Sequence, residues 1–553
     1  MGFAITALSL LSALVTAAII PLLYKFIPSF WRSLRSPVND VPGPESGHFL
    51  WGNLKQISDA DALVLHEEWV ATYGPIVKYK MMFNESRLMM MDNRAINFVL
   101  SNSSNFQKPQ TIRNNLGRLF GQGVLFAEGE DHRQQRRILN PAFGPVYLRD
   151  LTEIFLEKSG QLRDLWTAEI SKSTDETTKV NIVTWLNKTT LDIIGLAGFN
   201  YSFNALAPDD QPNELNDAIR NVLKFPSGFP IFAILRNIFP ILSSIPSKRG
   251  RDLAHAHATM ARIGKELIAE KKASALAEAG NGSSTNEKGH VLRDHVKGKD
   301  ILSLLVKANM AEDLPEALRL SDDDVMAQVP TFLIAGHETT SSAVTWALWA
   351  LAGDQECQTK LRANVLSVSS DTPTMDELNG LSCLDHVVRE TMRIHAPVTS
   401  TLRIATHDDV IPTDHEWTDR HGITRREVRV NKGDTIFIPI LAINRSKELW
   451  GEDASEFKPE RWDNLPEAVR SIPGVWGNSL SFLGGARACI GYRFSIIEMK
   501  AMLFTLIRAF EFNLAIPRED IIKKSAIVQR PYIKNDVEAG TQLPLLISVA
   551  KSA

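Results

Sequence analysis

The stretch Phe482-Leu-Gly-Gly-Ala-Arg-Ala-Cys-Ile-Gly491 governs how the rest of the chain is read. It sets Cys489 among Gly484, Gly485 and Gly491, with Arg487 two residues earlier. Glycines let a loop turn sharply and bring backbone close to a large flat group. Backbone N–H groups freed by such a turn can point at the sulfur and stabilise a thiolate. Arg487 offers a rigid fork of donors suited to a carboxylate. The apolar run opening at Phe494-Ser-Ile-Ile predicts a helix whose positive end faces the sulfur. Taken alone, Cys489 also fits a small residue merely buried in a glycine-rich turn.

A second stretch bears on that choice. Ser321-Asp-Asp-Asp324 is a capping sequence with acids at a helix start, and a long apolar helix is expected from Val325 to about Leu351. Ala335-Gly-His-Glu-Thr-Thr340 interrupts it with polar groups, which are costly in a buried helix unless they have a role. Gly336 would let the helix open locally and leave a notch beside a cofactor. Thr339 could donate to a bound oxygen, and Glu338 could pass protons inward through water. The plainer alternative is a threonine bonding back to its own helix.

The bulk numbers set bounds. With 553 residues, 44% hydrophobic, and a net charge of −3, the chain can bury a large core. The near-neutral balance gives no support for nucleic-acid binding, which wants a basic face. Three widely spaced cysteines, Cys357, Cys383 and Cys489, form neither a disulfide framework nor a zinc pattern. A reducing, cytosol-facing environment suits them.

The full spacing Phe-x-x-Gly-x-Arg-x-Cys-x-Gly resembles the haem-binding loop of the cytochrome P-450 superfamily of haem-thiolate monooxygenases. Phe482, Gly485, Arg487, Cys489 and Gly491 fall on its positions, and Ala335-Gly336-x-Glu338-Thr339-Thr340 matches the family's oxygen-activating helix. The resemblance implies a mainly α fold with a small β-rich part, and haem b ligated by Cys489. It also implies two electrons from NADPH through a separate reductase, since no nucleotide-binding fingerprint is evident. Glu338 and Thr339 would deliver protons. Thiolate-held haem supplies the chemistry that activates O₂.

Further matches follow the family's order. Glu390-Thr-Met-Arg393 and Arg461, within Pro459-Glu-Arg-Trp462, would form a buried charge cluster that locks the cysteine loop. A surface i,i+3 pair, worth little, is the alternative. His132 and Arg136, four apart, share one helical face. In the family a Trp and an Arg at this spacing bond the haem propionates; here His132 replaces the Trp. Arg403, in Ser400-Thr-Leu-Arg-Ile-Ala405, is another propionate partner by resemblance. Strands are expected at Ile76–Tyr79 and Arg87–Met90, with a hairpin joining Val428–Val430 to Thr435–Ile438.

Residues Phe3–Tyr24 carry no charge, a run of about 22 that is long enough to span a bilayer. Lys25, Arg32 and Arg35 follow, so the positive-inside rule predicts a cytosolic body. A cleaved signal peptide is the competing reading, but a basic n-region is lacking. The expected organisation is a transmembrane anchor at 1–24, a basic, proline-rich linker at 25–45 and a catalytic domain at 46–553. This implies a single-pass protein of the endoplasmic reticulum membrane, like the family's microsomal members. Leu223–Pro246 crowds apolar residues around three prolines, which suits either a membrane-facing entrance or core packing. Glu278–Lys299 reads as a polar surface loop.

The function expected is insertion of one oxygen atom from O₂ into a lipophilic small molecule, a secondary metabolite such as a terpenoid. Two rivals remain. One is a same-fold isomerase or dehydratase acting on a peroxide without a reductase, against which Thr339 argues. The other is a non-enzymatic haem-bearing sensor or sterol-binding membrane protein, which needs no acid–threonine pair.

Overall fold

The structure is a computed structural model that describes residues 31–207, 214, 248–280, 300–310 and 319–550, apart from 62 and 526. The apolar run 3–24, the proline-broken stretch 223–246 and residues 281–299 of the polar segment lie outside the described residues. Among the described residues no helix is long and apolar enough to cross a membrane. The expected catalytic region comprises two compact units: residues 31–109 with 401–439, and the remainder.

The first unit is built on a five-stranded sheet. Strands β1 (Ile76–Lys80), β2 (Ser86–Met90) and β3 (Phe106–Gln107) precede β4 (Thr401–Ala405), β5 (Asp409–Thr418), β6 (Thr424–Val430) and β7 (Thr435–Ile438). The sheet order is β1-β2-β7-β4-β3. β1 and β2 pair antiparallel with Val77 opposite Met89, and β2 runs parallel to β7 with Leu88 opposite Ile436. Those four apolar side chains are fully buried, and since the consecutive Leu88 and Met89 point to opposite faces, the sheet is covered on both sides there. The expected hairpin between Val428–Val430 and Thr435–Ile438 does not form: β6 pairs with β5, and β7 joins the large sheet. Lys432 and Gly433 therefore link two sheets, not two partner strands.

The proline-bearing segment before the sheet belongs to the same unit. Val38 and Val41 are buried, and the Ser36 hydroxyl bonds Asp434 at 2.8 Å. The Asn39 side-chain oxygen accepts from Ser86 at 2.6 Å and from Lys80 at 3.1 Å, while the backbone N–H of Lys78 donates to Pro42 at 2.9 Å.

The second unit is mainly helical. The helices that frame its centre are α1 (Gly129–Leu139), α2 (Pro145–Ser171), α3 (Ile182–Phe199), α4 (Asp322–Ala352), α5 (Ser382–Ile394) and α6 (Tyr492–Ala509). The expected capping sequence operates: Asp324 N–H donates to the Ser321 hydroxyl, and Ser321 N–H returns to the Asp324 carboxylate, both at 3.1 Å. From Val325 onward α4 is largely buried, packed on α3 and α6. Each fully buried Leu or Ile there stabilises the unit by ~1.5–3 kcal/mol.

α4 runs unbroken through Ala335–Thr340, so the expected local opening at Gly336 is absent. A side chain at Gly336 would meet Ile194 of α3 at 2.7 Å; the glycine serves close helix packing instead. A hairpin of β8 (Ile521–Ser525) and β9 (Gln529–Ile533) lies along the same helix. There Ser342 and the Trp346 indole both donate to the Gln529 carbonyl, at 2.8 and 3.4 Å.

Candidate active site

The cysteine loop is held by its own backbone. Cys489 N–H donates to the Phe482 carbonyl at 2.8 Å, and Ala488 N–H to that of Gly485 at 3.2 Å. Gly485 takes a φ of +66°, a left-handed conformation that glycine adopts at little cost. α6 begins at Tyr492, directly after Gly491, so its N-terminus stands beside the sulfur. Cys489 is exposed. Yet burial pushes its thiol above the ordinary range, opposed by a hydrogen bond from the Gly491 backbone and by the charge of Arg136. The Cys489 side chain is left uncovered at the start of α6, although protein lies close around it. The donors around the sulfur favour the thiolate, the form that ligates iron.

α4 presents a matching gap in its cover. Between Thr331 and Ala352 every residue is buried except Ala335, Gly336 and Thr339, which share one face. Phe143 bridges this helix to the cysteine loop. Its ring lies 5.6 Å from that of Phe332, one turn before Gly336, and a side chain at Gly491 would touch it at 3.6 Å. The Thr339 hydroxyl donates to the Ala335 carbonyl at 2.8 Å, the back-bonded arrangement. Glu338 is buried and accepts from Arg530 of β9 at 2.6 Å.

α1 is stapled to the cysteine loop. Arg136 donates to the Ala488 carbonyl and, at 3.2 Å, to Asn140. Arg487 makes an ion pair with Glu128, just before α1, and donates to the Ala127 carbonyl at 2.7 Å. His132 is buried on the α1 face it shares with Arg136. Arg403 lies in the first unit on β4, where it is buried and donates to the Thr401 hydroxyl at 2.7 Å and the Leu402 carbonyl at 2.8 Å.

The charge cluster is buried, not a surface pair. Glu390 takes both prongs of Arg393 at 2.8 and 2.9 Å, and Arg461 at 2.8 Å, with Glu390 and Arg393 fully covered. The Trp462 indole donates to the same carboxylate at 3.1 Å, and Asp453 balances Arg461 at 2.9 Å. Two negative and two positive groups thus satisfy one another. Removing Glu390, Arg393 or Arg461, the buried members, would strand their partners and cost about 3–5 kcal/mol. The cluster reaches the cysteine loop by bonds: Arg393 donates to the Asn444 carbonyl, Asn444 to Ser481, and Ser481 to the Met392 carbonyl. Ser481 immediately precedes Phe482, whose ring meets Trp476 edge-on at 5.6 Å.

Glu128, Asp453, Trp462 and Arg530 escape the sequence reading. Trp462 adjoins a recognised arginine and could have been suspected. Asp453 lies eight residues before the arginine it balances, while Glu128 and Arg530 pair across the chain with nothing local to mark them.

Comparison with known proteins decides the family. The cytochrome P-450 family profile matches residues 42–533. The chain is a cytochrome P-450. It is 53% identical over 544 residues to cytochrome P-450 monooxygenase 205 of Postia placenta, covering 98% of each chain. It is 51% identical to monooxygenase 128 of the same fungus over 93% of each. To monooxygenase claW of Ampulloclitocybe clavipes it is 34% identical, over 94% of this chain and 96% of that one. The cytochrome P-450 is therefore a monooxygenase that uses haem b, and the residues around Cys489 suit that group. They provide an uncovered cysteine, a backbone donor at its sulfur, and a partly uncovered face on α4.

Proposed function

We propose that this cytochrome P-450 holds haem b through Cys489 and oxidises a lipophilic secondary metabolite such as a terpenoid. Its electrons come from NADPH through a separate reductase. The relatives in Postia placenta and Ampulloclitocybe clavipes carry names that give the reaction class and no substrate, so the substrate class rests on the chain's own character. Residues 1–24 anchor the protein in the endoplasmic reticulum membrane, 25–45 connect that anchor, and 46–553 form the cytosolic catalytic region. A substrate drawn from the bilayer suits such an arrangement.

The residues divide the task. Cys489 has the Gly491 N–H and Arg136 beside it, which oppose the burial that raises its pKa and would steady the thiolate once iron binds. Gly485 shapes the turn and Phe482 closes one side of it, while Gly491 brings the start of α6 to the sulfur. When bound, haem supplies O₂ activation, and the thiolate favours O–O cleavage. Arg136, His132 and Arg487, with Arg403 by resemblance, are the proposed partners of its carboxylates, Arg487 on exchanging its bond to Glu128. Glu338 carries protons to the neighbourhood of Thr339, whose hydroxyl must leave the Ala335 carbonyl to receive and pass them. Glu390, Arg393 and Arg461 fix the loop from behind and take no part in the chemistry.

Cys489, uncovered at the start of α6 with the Gly491 N–H at its sulfur, carries this reading. Its test is the spectrum of the reduced, carbon monoxide-bound full chain beside Cys489→Ser, followed by product profiling with a reductase. A thiolate signature lost in the variant, and lipophilic oxidised products, support it. A histidine-type spectrum in the parent chain would overturn it.

A further inference from the structure

Glu338 is no free carrier in this structure. Both Nε and Nη2 of Arg530 converge on its Oε1, with the Nε contact at 2.6 Å, and both side chains are largely buried. The other oxygen, Oε2, lies 3.9 Å from Nε2 of His337. Burial lowers the His337 pKa, so that ring is neutral; its Nδ1 lies 2.8 Å from the Leu333 carbonyl and must carry the hydrogen. Nε2 is thus a bare acceptor facing Glu338. One oxygen of the acid meets a fixed cation, and the other meets a group that can accept a proton but has none to give.

The backbone that carries Arg530 is anchored on both strands of the hairpin. The preceding residue, Gln529, accepts from Ser342 and Trp346 of α4 and donates to the Pro397 carbonyl at 2.8 Å; Ser525, on the facing strand, bonds Thr399 at 2.9 Å. Glu338 stands on the buried helix α4, so the pair joins two fixed elements through their side chains.

Resting on the proposed role of Glu338, we propose that Arg530 is a positioning residue for proton delivery. It aims the carboxylate from the hairpin side and returns it to the same place after each transfer, with His337 confining the second oxygen. Reduction of O₂ by two electrons with two protons gives hydrogen peroxide; four electrons and four protons give two waters. The fraction of NADPH electrons lost as peroxide reads how well protons arrive, without requiring an identified substrate.

The experiment is a double-mutant cycle in the full-length haem-loaded chain, with NADPH, O₂ and a fungal reductase in phosphatidylcholine vesicles. It compares Arg530→Gln, Glu338→Gln, the double variant and Arg530→Lys. The expected result is that Arg530→Gln raises the ratio of peroxide released to peroxide avoided by about tenfold and enlarges the solvent deuterium effect on NADPH oxidation. Adding Arg530→Gln to Glu338→Gln changes neither quantity further, because the arginine acts through the acid. Arg530→Lys restores most of the loss, since both guanidinium contacts fall on one oxygen.

Melting temperatures of the same proteins give a readout apart from turnover: the two single losses must not add in the double variant. Additive effects on peroxide or on melting overturn the proposal, as does an unaltered Arg530→Gln. If Glu338→Gln itself leaves peroxide unchanged, the acid's proposed role falls and this inference falls with it. If only Arg530→Gln is silent, the acid's role stands and this inference alone fails.

Discussion

Thr339 shows how much a single hydroxyl can be asked to do. In the structure it is satisfied by the Ala335 carbonyl, yet it lies on the one partly uncovered face of a buried stretch of α4. A threonine that served only its helix would be no less comfortable on a covered face. Thr339→Ala should keep the fold and the reduced carbon monoxide spectrum while releasing several-fold more peroxide per NADPH. Unchanged peroxide would remove the hydroxyl from the chemistry. His66, in the first unit, makes a different kind of prediction. Its ring stacks on Phe437 at 4.9 Å, and burial, then the charge of Arg87, lowers its pKa from 6.5 to about 4. The folded unit holds the ring neutral, whereas the unfolded chain takes up a proton below pH 6.5. Stability from this site is therefore present above pH 6.5 and lost as pH falls through about 4, by roughly 3 kcal/mol. His66→Phe should flatten that part of the stability curve, measured by denaturant unfolding at pH 7 and pH 4. An equal slope in both proteins would refute it.

Among the elements, α4 and α3 depend on a missing side chain. Gly336→Ala would drive a methyl to 2.7 Å from Ile194 Cγ1, an overpacking cost of about 1–3 kcal/mol. Ile194→Ala in the same chain should recover part of that loss, because the clash and the new space coincide. Thermal melting of the two single variants and the double one checks this; simple additivity would show that the contact is not the cause. This pair also marks where sequence reading stops. The motif around Gly336 is legible, and so is the capped helix that bears it. The reason for the glycine is not, because Ile194 lies far upstream on another helix. The loop at Cys489 is legible for the opposite reason: its turn, its donors and its sulfur all sit within ten consecutive residues. Glu390 and Arg393 are a local pair and could be read, but the burial that gives them weight comes from Asn444, Ala454 and Trp462. Strands β6 and β7 mislead because two alternating runs joined by Lys-Gly look like neighbours, and their distant partners, β5 for β6 and β2 and β4 for β7, pull them apart.

At the scale of the molecule, the first unit has an unusual beginning. Ser36, Asn39 and Pro42 are bonded into the sheet, and Val38 and Val41 are sealed beneath. A chain starting at residue 31 should melt like the full chain. One starting at residue 44 should lose two buried valines worth ~1.5–3 kcal/mol each and melt several degrees lower; identical melting would show that the segment is dispensable. A proline-rich connector is commonly imagined as a swivel. Here it is a weld, so a handle fixed upstream of Ser36 would transmit torque straight to the sheet, and anyone trimming or tagging this protein should treat Ser36 as the first brick of the wall.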